Sequence, residues 1–434
     1  MKKILATLLV VAMVLSLAAC GDKNNTTNNS SNNTPAGAVD MTKACSLTMW
    51  CIAVETDSNR GSYEHAIADM KAKYPNIDFK WEATQNDDYK PKIKAAFQAD
   101  AVSDIFFTWS CAFLGEFVKA GKVYCLDEAY KEFADKIDMA RMCKNTTYDG
   151  KKYGVPLTMN IVALFANMDI LKSVGYDDVP ATYEDLLKCC EALKAKNIIP
   201  FGCAAAADQT WCVTEYVEPI IEKACGAKVL DDIFAGNASW DNADVAKAVD
   251  IFQDMIKKGY FDPDGAGLNN DTVKSNFIAG EYAFYMNGSW NCADFAKEAG
   301  LNVKVSEFPV IDSSKSKLGQ LIGGPSDTLA VWNGSKNAAV AAKYTLEMGI
   351  LLSKYGYLDG CGLPAWKVDY DISNINPLTK KVAEIVNNSD YMVLFGDTAM
   401  KAESADKYLK EIAKVYGGEV NGTTFTSDLK NSIK

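Results

Sequence analysis

From residue 47 onward, apolar and polar positions fall into blocks that repeat a strand–helix order. Residues 47–54 read as a strand that opens the folded body. Tyr63, Ala66, Ile67, Met70 and Tyr74 then recur at helical spacing, and Pro75-Asn76 ends that amphipathic helix. Residues 77–81 alternate as a strand, 89–99 return to helical spacing, and 103–109 form a mostly apolar run of the kind buried on both faces of a sheet. Such β-α-β units imply a mainly parallel sheet with helices on its faces.

The pattern restarts after the turn Tyr153-Gly154-Val155-Pro156, with an apolar run at 161–166. Thr182 and Asp185 match a capping box ahead of Leu186, Leu187, Cys190 and Leu193. Residues 242–258 predict a long helix with Val245, Val249, Phe252 and Ile256 on one stripe, closed by Gly259. Further strands are expected at 281–286, 302–308 and 329–332, and further helices at 335–353 and 398–415. Residues 208–216 read as a polar-aromatic loop, and no internal repeat is found.

The first forty residues follow a different logic. Lys2 and Lys3 precede an apolar run from Ile4 to Ala19, which is secretory targeting and short for a permanent bilayer span. Leu17-Ala18-Ala19-Cys20-Gly21 resembles the bacterial lipoprotein signal, which implies cleavage and acylation at Cys20. Residues 22–40, DKNNTTNNSSNNTPAGAVD, have almost nothing to bury and read as a disordered tether. The expected place is therefore extracytoplasmic, anchored through the lipid on Cys20 to the outer face of the membrane.

Composition narrows the function. A chain of 434 residues suits two lobes, and a net charge of −11 argues against a nucleic-acid partner. With Arg60 and Arg141 as the sole arginines, a site built on bidentate arginine clamps is not expected. Thirteen cysteines are many for an exported chain. With Cys20 lipidated, the scattered remainder reads as buried reduced thiols, with Cys203 and Cys212 the first suspects if any pair forms. No Cys-x-x-Cys pair exists and His65 is the one histidine, so neither a metal nor any other cofactor is expected.

Several segments together resemble the family 1 extracellular solute-binding proteins, the group that contains maltose-binding protein. They are AIADMKAKYPNID at 66–78, SDIFFTWSCAFLGEFVKAGKVYCLD at 103–127, YGVPLTMNIVALFANMDILKSVG at 153–175 and FIAGEYAFYMNGSW at 277–290. The helix at 335–346 and the turn Gly362-Leu363-Pro364-Ala365 continue the likeness. Ala166-Asn167 stands where the family has Tyr-Asn. The resemblance implies a two-lobed α/β fold of the periplasmic-binding-protein kind, with a ligand cleft between the lobes. By that analogy one lobe takes 44–156 and 312–355, the other takes 160–308 and 358–434, and hinges lie near 154–160 and 308–311. It also implies a monomer that hands a carbohydrate to the permease subunits of an ABC importer.

A sugar needs a flat aromatic for its C–H face and amides or carboxylates for its hydroxyls. Trp109 and Trp290 match family contact positions in different lobes, Trp366 lies near another, and Trp211 and Tyr216 fall in the polar-aromatic loop at 208–216. Each could instead belong to a core. Candidate hydroxyl partners are Glu55, Asp57, Asn86, Asp87, Asn160, Asp208 and Gln209, while Gly323-Gly324 is either a close backbone approach or a simple turn. No catalytic residue is expected. A secreted glycosidase acting through paired carboxylates, an adhesin or scaffold, and a binder of a non-sugar solute remain the alternatives. No P-loop or Gly-x-Ser-x-Gly elbow is found, and His65 sits in an ordinary amphipathic helix.

Overall fold

In a computed structural model the described residues are 39–433. The signal segment, Cys20 and nearly all of the expected tether lie outside them.

The first sheet has the order Ile77–Ala83, Cys45–Cys51, Ile105–Trp109, Asp327–Val331, Gly154–Pro156. Its first three strands run parallel, while Asp327–Val331 is antiparallel to both of its neighbours. Helix Arg60–Lys73 covers this sheet with Tyr63, Ala66, Ile67 and Met70, the stripe expected from the spacing. Helix Ala338–Asp359 packs beside it.

The second sheet is built around the crossing strand Thr158–Asn167, buried along its whole length. Its side chains alternate between two cores, Val162, Leu164 and Ala166 on one face and Ile161, Ala163 and Phe165 on the other. Tyr282–Gly288, Gln320–Gly324, Val303–Ser306 and Leu363–Pro364 all pair antiparallel to it. Ile199–Gly202 and Tyr391–Val393 add parallel edges.

The two-lobed α/β class therefore holds, but the sheets are mixed rather than mainly parallel. The reason is the path of the chain: strands that cross between lobes return in the opposite sense and enter the middle of each sheet.

The path also moves two expected features. Residues 312–324 lie on the side of the second sheet, where Leu321 and Ile322 enter its cores. The crossings fall at Leu157 and at Pro325-Ser326, each joining a strand of one sheet to a strand of the other, and a third falls between Asp359 and Leu363. Residues 308–311 are not a crossing, because Phe308 is buried in the second lobe and Ile311 packs against the same core.

Residues 210–216 are helical. Helix Thr210–Cys225 runs through the second lobe with nearly every residue buried, including Glu215, Glu218, Glu222 and Lys223. Lys223 pairs with Glu222 at 3.1 Å and Glu307 at 3.0 Å, and donates to the Gln320 carbonyl at 2.6 Å. That network satisfies charges that would otherwise be prohibitive to bury. The sequence-predicted caps form: Thr182 Oγ1 accepts from the Asp185 amide at 3.1 Å, and Gly259 closes helix Ala243–Lys257 at a φ of 71°.

None of the twelve described cysteines is disulfide-bonded, and nine of them are buried. Cys203 and Cys212 are among those nine.

Candidate ligand cleft

A cleft opens between the lobes, with about 1040 Å³ of space not filled by protein atoms, part of it continuous with solvent. The first lobe supplies Asp57, Asn59, Gln85, Asn86, Lys90, Trp109 and Asp327. The second supplies Trp211, Glu215, Asn270, Asp271, Lys274, Trp290, Phe395 and Asp397. The site lies at loop ends of both sheets, where open α/β sheets bind ligands.

Its aromatic walls are fixed by packing. Trp109 ends strand Ile105–Trp109 and meets Phe107 edge-on at 5.1 Å and Tyr89 edge-on at 6.2 Å. The chain then turns into helix Ala112–Lys119 through Cys111, whose φ of 54° is rare for a residue with a side chain. In the opposite lobe, Trp290 lies 6.3 Å from both Trp211 and Phe395, ring centre to ring centre. Gly288 is what lets Trp290 fold back over its own strand, since a Cβ there would lie 2.1 Å from the indole. Ser289 fixes the same turn: its hydroxyl donates to Asn160 Oδ1 at 2.8 Å and accepts from the Ile161 amide at 3.1 Å.

The polar lining contains two atoms the protein leaves unsatisfied. Trp211 Nε1 and Glu215 Oε2 are buried without a hydrogen-bond partner among the described residues, one helical turn apart on Thr210–Cys225. Burial, and then the neighbouring Glu218 and Asp397, push the Glu215 carboxyl well above the usual range. The same burial disfavours its charged form and favours the protonated carboxyl. Asp57 and Asp327, facing them from the first lobe, are each pushed up to about 6 by burial. Hydrogen bonds to Asp57 from the Asn59 backbone and side chain work against that shift.

Three further contacts join the lobes at the rim. Gln209 Nε2 donates to Asp87 at 2.6 Å, Ser58 Oγ donates to Asp294 at 2.7 Å, and Lys90 faces Asp397 at 4.0 Å. Lys274 also pairs with Asp294, at 2.8 Å.

Of the residues singled out from sequence, the cleft brings together Trp109, Trp290, Trp211, Asp57 and Asn86. Asp87 and Gln209 meet each other at its rim instead of lining it. Three expected contacts are corrected by burial, and the role left open for Gly323 is resolved by packing. Trp366 is 4% exposed in the first core, its Nε1 spent on the Pro156 carbonyl and its ring stacked on Tyr130. Tyr216 is buried in the second core and donates to the Gly202 carbonyl. Asn160 is buried and bonded to Ser289, so it positions the Trp290 turn from behind. Gly323, at a φ of 148°, is needed for sheet pairing, because a Cβ would lie 2.3 Å from the Asn160 carbonyl. Glu55 and Asp208 are exposed and outside the lining.

Sequence reasoning missed Glu215, Asn270, Asp271, Lys274, Asp327, Phe395 and Asp397 among the lining residues. Glu215 stands four residues from Trp211, but that spacing has meaning only on a helix, and the segment reads as loop from the sequence. Among the described residues, no group of three or more His, Cys, Asp or Glu is placed to hold a metal ion.

Residues 65–348 match the bacterial extracellular solute-binding protein family. The chain belongs to that family. A probable sugar-binding periplasmic protein of Mesorhizobium japonicum is 22% identical over 324 residues, covering 72% of this chain and 74% of the relative. A solved structure from work on xylan utilisation by the thermophilic bacterium Caldanaerobius polysaccharolyticus has a TM-score of 0.85 and 28% identity, over 90% of this chain and all of that one. A chitin oligosaccharide binding protein shares the fold, with a TM-score of 0.81 at 22% identity over 89% of this chain and 98% of that one. Members of this family bind their solutes and do not convert them, which sets aside the hydrolase alternative for this solute-binding protein.

Proposed function

We propose that this solute-binding protein captures a carbohydrate, in particular an oligosaccharide, outside the cell. A lipid on Cys20 would hold it at the membrane, and closure of the two lobes would present the loaded form to the permease subunits of an ABC importer. The observation that carries the reading is the pairing of unsatisfied polar atoms with aromatic walls. Trp211 and Glu215, which carry those atoms, line the cleft with Trp290 and Phe395, opposite Trp109. A sugar offers hydroxyls to the first and C–H faces to the second. Trp109 and Trp290 stand on opposite lobes, so a ligand between them would be clamped on closure, with Leu157 and Pro325-Ser326 as hinges. The relatives named above, a probable sugar-binding protein, a chitin oligosaccharide binding protein and a protein from work on xylan utilisation, point the same way.

A thermal-shift panel of xylo-, chito- and malto-oligosaccharides, followed by calorimetry on the best, tests the binding. A ligand held by the folded state alone must raise the melting temperature. If no sugar shifts it and a non-sugar solute does, the carbohydrate reading is wrong. For the anchor, Cys20→Ala should release the protein or leave it unprocessed. An intact segment 1–19 on the mature surface protein would overturn that part.

A further inference from the structure

At the mouth of the cleft lies a second cavity, with about 830 Å³ of unfilled space measured in the same way. It adjoins the first: Lys90, Trp109, Asp397 and Thr398 line both. Like the cleft it is built from both lobes. Lys94 and Phe113 come from the first, on helices Asn86–Gln98 and Ala112–Lys119. Met400, Ala405 and Leu409 come from the second, where helix Ala402–Tyr416 begins just after Met400.

The chemistry of the outer cavity repeats that of the inner one. Its floor is apolar, and Phe113 stands 5.2 Å from Trp109, nearly perpendicular to it, so that a second aromatic platform follows the first. Lys90 and Lys94, one helical turn apart, lie 5.0 Å over the Trp109 ring and 5.3 Å over the Phe113 ring. Each therefore sets a mobile donor beside an aromatic ring. Asp397 and Asp406 provide acceptors, and two cations against two carboxylates leave no charge for an ionic ligand to answer. An apolar floor with a polar rim suits a sugar ring as well here as inside.

We propose that this outer cavity is a further subsite, taking the unit of a neutral oligosaccharide that emerges from the cleft past Trp109. The protein would then select its ligand by chain length. The inference rests on the carbohydrate reading above.

Calorimetric titration with ladders of xylo-, chito- and malto-oligosaccharides, from two to six units, tests it on the full folded protein. The bound ladder should gain about tenfold in affinity or more between its shortest binding member and the longer ones. Phe113→Ala should erase that gain and leave the shortest binding member within about threefold of wild type. Leu409→Ser approaches the same cavity from the other lobe and should do likewise, which guards against local disruption around Phe113. Affinity that is flat along the ladder, or a loss equal at every length in both variants, overturns the outer subsite while leaving the cleft intact. No binding by any ladder overturns the carbohydrate reading and this inference together.

Discussion

Tryptophans that look alike in the sequence do different work in the structure. Trp290 and Trp211 border the cleft, whereas Trp366 has its ring and its one donor committed inside the first core. Trp290→Ala should cost about 2–4 kcal/mol of binding, about 30- to 1000-fold, with the fold retained. Trp211→Phe keeps an aromatic, though smaller, ring and removes the unsatisfied donor, so calorimetry should show a smaller loss of about fivefold. Trp366→Ala should instead destabilise by about 3–5 kcal/mol in chemical denaturation, and its affinity should stay near wild type under conditions where it folds. The distinction could not be read from spacing, because it depends on which carbonyl an indole N–H finds. Asp327 offers a test by pH. Burial raises its folded-state pKa to about 6, against an ordinary value near 4. The native state thus binds the proton more tightly than the unfolded chain, and this stabilisation is full below about pH 4 and lost as the pH rises to about 6. Asp327→Asn cannot lose it. The variant should melt higher than wild type above pH 6, and the difference should vanish near pH 4.

Helix Thr210–Cys225 shows what hydrophobic patterning can and cannot reveal. Helices with one buried stripe, such as Arg60–Lys73 and Ala243–Lys257, were legible because the opposite face is polar. Thr210–Cys225 is buried all round and contains Pro219 and four charged residues, so no stripe stands out and its start reads as loop. The cleft face lost with it includes Glu215. The charges matter to stability as well. Lys223→Ala would leave the buried Glu222 and the partly buried Glu307 without their shared partner, and a loss of about 3–5 kcal/mol is expected in denaturant titrations. The turn after Tyr282–Gly288 makes a second test at this scale. Gly288→Ala introduces a Cβ into the space of the Trp290 ring and should lower ligand affinity about tenfold by displacing that indole. Tryptophan fluorescence should report the displacement in the unliganded protein. The family motif around Gly288-Ser289-Trp290 was visible from the residues, but the close approach that explains it needed coordinates.

At the scale of the whole molecule, two α/β blocks were readable, since strand and helix periods alternate across most of the chain. The mixed strand directions and the crossing at Pro325-Ser326 were not, because local periodicity carries no information about which distant strand completes a sheet. The absence of disulfides among the described residues gives a simple global test. Reductant should leave the melting temperature almost unchanged, and a fall of many degrees would reveal a pairing not present here, worth about 2–4 kcal/mol. The interleaved path has a further consequence for how the protein comes into being. Strand Ile105–Trp109 waits for Asp327–Val331 to arrive from beyond the larger part of the second lobe. Until then the middle of the first sheet keeps an open edge, and no early portion of the nascent chain can finish a domain by itself. Such distant pairings slow folding, because the long loop must close before its contacts reward it. A chain wired this way stays unfinished, and hence threadable, until most of it has been made.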